Sequence, residues 1–76
     1  MGLTVATSDV GPRADVLRET FRRVQAEYAE MPGLSVTIPQ AQRLWAVDRR
    51  TCERVFLALV ARGVLRRTTK ERFVRA

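Results

Sequence analysis

The chain has 76 residues and a net charge of +6, with thirteen arginines, one lysine, one cysteine and no histidine. That length holds one small domain with a modest core and leaves no room for a separate sensing domain. A single cysteine excludes an internal disulfide, a lone thiol without histidine excludes a zinc site, and no apolar run approaches the roughly 18–20 residues needed to span a bilayer.

The charge is unevenly placed. Residues 1–38 carry a net −1, whereas residues 39–76 carry +7. A strongly basic half beside a near-neutral one points to a polyanionic partner, and nucleic acid is the first candidate. A GC-rich coding sequence would favour arginine over lysine, but it would not place the excess in one half.

Residues 1–11 are small, mixed and aperiodic, which predicts a flexible N-terminal tail. They lack the basic start and apolar stretch of a secretory signal, and Ala6 stands where myristoylation needs Ser or Thr. The expected location is therefore cytoplasmic, in the nucleoid if the chain binds DNA. Pro12 can open a helix, since a first-turn proline forfeits no helical hydrogen bond. Val16/Leu17, Phe21, Val24 and Tyr28 then recur at helical spacing until Met31-Pro32-Gly33 ends the pattern, which places a first helix at about 12–30. Glu19–Arg23 and Arg23–Glu27 are the expected surface pairs on it.

Leu34, Val36 and Ile38 alternate with Ser35 and Thr37, too short a run for an independent strand but able to join a later hairpin. Thr37 and Gln40 form a capping-box pattern around Pro39, opening a second helix at about 38–45 with Ala41, Leu44 and Trp45 on its core face. Val47 is expected to plug the turn. Asp48 caps a third helix of about 49–62, in which Cys52, Val55, Phe56, Leu59 and Val60 form the inward stripe and Gly63 the stop. Residues 64–68 and 72–75 read as paired strands, with Thr69, Lys70 and Glu71 at a tip that lacks an Asn-Gly turn signal.

With the core stripe of the third helix turned inward, Arg50, Arg54, Leu57 and Ala61 point outward and Arg49 projects from its first turn. Arginine suits a DNA groove, because its planar fork can meet guanine O6 and N7 together. Thr51 and Glu53 are supporting candidates there. Glu53 can accept from cytosine N4 or orient a neighbouring arginine. Arg43 on the second helix, Arg66 and Arg67 on the first hairpin strand, and Lys70 and Arg72 near its tip are candidate phosphate contacts. The competing reading of these arginines is a solvated face, and Leu57 with Ala58 and Ala61 suits a protein contact instead. Trp45 is expected in the core rather than at a stacking site, and Tyr28 in the core or at a dimer interface. Cys52 is expected as a small buried hydrophobe, with an acidified, redox-active thiol as the lesser alternative.

From Leu34 onward, VTIPQAQRLWAVD, TCERVFLALVARG and the GVLRR…RFVR hairpin together resemble the winged helix-turn-helix domains of bacterial transcription regulators, of the isocitrate-lyase-repressor and multiple-antibiotic-resistance-repressor types. FLALVARGVLRR carries the most specific part of the resemblance, which covers about 42 of the 76 residues. It implies an α+β, mainly α, fold with three helices and a two- or three-stranded antiparallel sheet. It also implies a third helix that reads DNA through Arg49, Arg50, Thr51 and Arg54, and a wing with Lys70 at its tip.

The expected function is double-stranded DNA binding by a small transcription regulator, with a homodimer on paired half-sites to extend a single module's few base contacts. The alternative is a winged-helix module that binds protein within a larger complex. With no histidine, no suitably paired carboxylates and no glycine-rich phosphate loop, no enzymatic activity is expected, nor any cofactor or small-molecule ligand. An aromatic platform for single-stranded RNA is also missing.

Overall fold

A computed structural model describes residues 13–76, so the predicted tail and the helix-opening role of Pro12 lie outside the described residues. Helix α1 spans Ala14–Glu30 and ends, as its Met-Pro-Gly sequence requires, before Met31. Its inward stripe is Thr20, Val24 and Tyr28, flanked by partly buried Leu17 and Phe21. Val16, expected on this stripe, is exposed, and Thr20, not among the expected core positions, is buried. Glu19 pairs with Arg22 at 2.7 Å rather than with Arg23, the i,i+3 neighbour replacing the i,i+4 one.

Strand β1 (Ser35–Val36) leads into helix α2 (Ile38–Trp45). The capping box forms as the sequence requires: Gln40 N–H donates to Thr37 Oγ1, and Thr37 N–H donates to Gln40 Oε1 at 3.0 Å. Ala41 and Trp45 face inward, but Leu44 is 54% exposed, because an eight-residue helix against a single neighbouring layer buries only a narrow stripe. Ala46 ends the helix in the left-handed region at φ 53°, a conformation that disfavours any residue with a Cβ. Val47 packs against the core beside it, as expected of a turn plug.

Helix α3 (Arg49–Ala61) starts on the Asp48 cap and buries Cys52, Val55, Phe56 and Leu59. Gly63 follows at φ 77°, where a side chain would be strained even though space is open around it. Strands β2 (Leu65–Arg67) and β3 (Phe73–Arg75) form the hairpin. The sheet is antiparallel in the order β1-β3-β2, with Val36 opposite Phe73 and Arg66 opposite Val74. The hairpin tip is organised by Thr68, whose Oγ1 accepts from the N–H groups of Lys70 and Arg72 at 3.2 Å. The left-handed backbone that an Asn-Gly turn supplies elsewhere is taken here by Glu71, at φ 60°.

The layers meet at Phe56. Its ring lies 5.0 Å from that of Phe73, 6.0 Å from Trp45 and 6.5 Å from Tyr28, so α1, α2 and β3 all pack on one side chain of α3. Tyr28 also donates its hydroxyl to the Phe73 carbonyl at 2.7 Å, tying α1 to the sheet. Tyr28 and Trp45 are thus core residues, unavailable for a dimer contact or a stacking site. The result is an α+β domain of three helices and a three-stranded antiparallel sheet, and none of the described helices is long and apolar enough to cross a membrane.

Candidate nucleic-acid interface

Helix α3 presents its arginines because of what it buries. At about 100° per residue, inward Cys52, Phe56 and Leu59 leave residues 50, 54, 57 and 61 on the opposite side. Arg50, Arg54, Leu57 and Ala61 are all exposed, Leu57 at 61%. Arg49 is exposed one step round the helix and donates through Nε to Glu53 Oε2 at 2.9 Å.

Thr51 is in a different place. Among the four residues expected to face a groove it alone is buried, at 2% exposure, and its hydroxyl and amide both donate to the Asp48 carboxylate. It is part of the helix cap rather than a surface contact. The Thr51 hydroxyl, and after it the Thr51 amide, hold the Asp48 carboxyl below the usual aspartate range, against a smaller opposing effect of burial.

The hairpin arginines divide between two faces. Side chains alternate along β2, so Arg67 lies on the same face as buried Leu65 and Arg66 on the other. Arg67 is the one that joins α3: it lines an open groove of about 590 Å³ together with Arg49, Glu53, Leu57 and, from the tip, Glu71. Ile38 and Phe73 contribute apolar wall to the same groove. Lys70 is exposed at the tip, and Arg43 is exposed in the last turn of α2, where a cation also complements the helix dipole.

Arg72 differs from the other basic candidates. It is half-buried, and its Nη1 reaches the Ser35 carbonyl at 3.3 Å and Gln40 Oε1 at 3.4 Å. Its guanidinium thus bridges the hairpin to β1 and to the cap of α2. The signal was present in the sequence only as Gln40, whose amide oxygen serves the cap and Arg72 together.

Cys52 is buried, with its thiol aimed at the Ile38 carbonyl at 3.9 Å. Burial, with lesser contributions from Glu53 and Asp48, pushes the thiol up to about 11. It is a protonated core group at neutral pH, so an acidified redox thiol is ruled out. Ala58 is half-buried and lines a shallow cleft with Leu17, Phe21 and Arg62, so it does not extend the Leu57 patch. Arg62 stacks over the Phe21 ring at 5.0 Å on that side. Among the described residues, no cluster of histidine, cysteine or carboxylates could hold a metal ion. Comparison with protein-family models, with curated proteins and with solved structures returned no match.

Proposed function

We propose that the chain is a winged helix-turn-helix that binds double-stranded DNA as a small transcription regulator, with α3 entering the major groove and the β2–β3 hairpin acting as the wing. The observation that carries this reading is the groove that α3 and the hairpin share, with Arg49 and Arg67 on its walls beside Glu53 and Glu71, and with exposed Arg50 and Arg54 on the outward side of the same helix. The three-residue connection between α2 and α3, with the hairpin directly after α3, supports it in outline. Arg50 and Arg54 meet base edges, while Arg43, Arg67 and Lys70 meet phosphates and set the register. Two copies on paired half-sites extend the few base pairs that one module reads.

Selection of bound duplexes from a random pool tests the reading directly. Enrichment of a defined site is expected, with affinity falling steeply as salt rises, at a log–log slope near −0.9 for each phosphate neutralised. Arg54→Ala is expected to weaken binding to the enriched site roughly tenfold more than to a scrambled duplex. An equal loss on both would reduce Arg54 to a phosphate contact, and the absence of any duplex binding would end the proposal.

A second reading rests on one observation, the 61% exposure of Leu57 in a groove with apolar walls. It makes the same face a protein-docking surface. Binding carried by Leu57 would be nearly insensitive to salt and abolished by Leu57→Ala.

A further inference from the structure

Two carboxylates, Glu53 and Glu71, line the groove beside Arg49 and Arg67, and a plain phosphate-binding surface does not account for Glu53, the one that is paired with an arginine of the helix. Glu53 lies one turn after Arg49, accepts its Nε–H at 2.9 Å and lines the same groove. A negative charge there repels a polyanion. An exposed pair four residues apart on a helix contributes too little to stability to offset that by itself.

We propose, on the DNA-binding reading above, that Glu53 is a positioning residue that fixes Arg49 as a guanine reader. A guanidinium carries five N–H donors in one plane. With Nε–H committed to Glu53, the two Nη groups remain as an end-on fork, which is the arrangement that meets guanine O6 and N7 together. The Arg49 side chain is 73% exposed and the Glu53 side chain 45%, so the arginine is the more accessible of the two. Arg49 is also the first residue of α3, at the end that enters a groove first. A long side chain biased this way has less freedom for binding to take from it than an unpaired one, and it turns to the nearest phosphate less often.

The two effects of Glu53 have opposite signs, which makes the role measurable. Its charge weakens binding to every duplex, and its hydrogen bond strengthens binding to the right one. The test is fluorescence anisotropy at fixed salt, with the full chain titrated against the duplex enriched by selection and against a scrambled duplex of the same length. Glu53→Ala is expected to tighten binding to the scrambled duplex while lowering the enriched-to-scrambled affinity ratio roughly tenfold. Glu53→Gln keeps an acceptor for Nε and removes the charge, so it is expected to retain most of the ratio. Arg49→Ala is expected to lose the same ratio as Glu53→Ala, and the double variant to lose no more than either. Arg49 is exposed and Glu53 half-buried, and far-ultraviolet circular dichroism checks that each variant is folded. An equal change on both duplexes in Glu53→Ala, in either direction, would overturn the positioning role while leaving DNA binding intact. A parent chain that bound no duplex would overturn both.

Discussion

Asp48 holds the start of α3 by accepting from the Thr51 hydroxyl and amide, and those bonds keep its carboxyl below the usual range. The unfolded chain, at the ordinary value, therefore takes up a proton more readily than the folded one. The stabilisation is complete above the ordinary aspartate value and is lost as pH falls through the depressed folded value. Asparagine caps a helix about as well as aspartate but does not titrate. Asp48→Asn is accordingly expected to stay within about 0.5 kcal/mol of the parent at neutral pH and to lose less stability on acidification, as read from urea unfolding at about pH 7 and about pH 3. Some acid sensitivity will remain through Asp15, whose carboxyl is lowered by its bonds with Arg13 and the Val16 amide. An acid slope identical to the parent's would show that the cap does not titrate. The same cap explains why Thr51 was misread at the residue scale. Its position at the helix front suggested a surface contact, but a hydroxyl three residues after a capping carboxylate has a nearer partner than any ligand. Exposure of the arginines was legible because a guanidinium is too costly to bury unpaired.

The helices were legible as elements because their boundaries are written in short-range chemistry. Thr37 with Gln40, Asp48, Met31-Pro32-Gly33 and Gly63 each act on backbone groups within a few residues. The sheet was legible only in part, since pairing depends on partners far apart in the chain: β1 was an optional third strand, and both hairpin strands are shorter than the expected 64–68 and 72–75. Least legible was the way the hairpin is held, because no local pattern announces that Arg72 bridges to Ser35 and Gln40, 37 and 32 residues away. If that bridge is structural, Arg72→Ala should cost about 1 kcal/mol. It should also quicken amide exchange in the hairpin while leaving that of α3 close to the parent's. On the proposed DNA-binding reading, the slope of affinity against salt should then be unchanged, whereas Lys70→Ala should reduce it by roughly one phosphate. A salt slope that fell as much for Arg72→Ala as for Lys70→Ala would return Arg72 to the proposed DNA surface.

Across the whole molecule, the division of labour runs through α3, one side carrying Phe56 and the other carrying charge. Phe56 is where α1, α2 and β3 converge, so the domain has one core rather than separable pieces. A chain of this size has roughly 4–11 kcal/mol of stability in total. Phe56→Ala, at about 3–5 kcal/mol, would remove a large share of that, so Phe56→Leu is the informative change, with an expected cost of about 1–2 kcal/mol. Trp45, the only tryptophan, packs on Phe56 and reports the core by fluorescence, while far-ultraviolet circular dichroism reports the helices. Because the core is shared, the two midpoints in urea should coincide in the parent and shift together in Phe56→Leu. A fluorescence transition that moved alone would mean that α2 can part from the rest. The outward face of α3 should be untouched by the change, since residues 50 and 54 project from the opposite side of the helix. On the proposed DNA-binding reading, affinity per folded molecule should therefore equal the parent's; a loss of binding in a fully folded Phe56→Leu chain would mean that the angle of α3 against the hairpin, and not only its exposed arginines, sets the proposed interface.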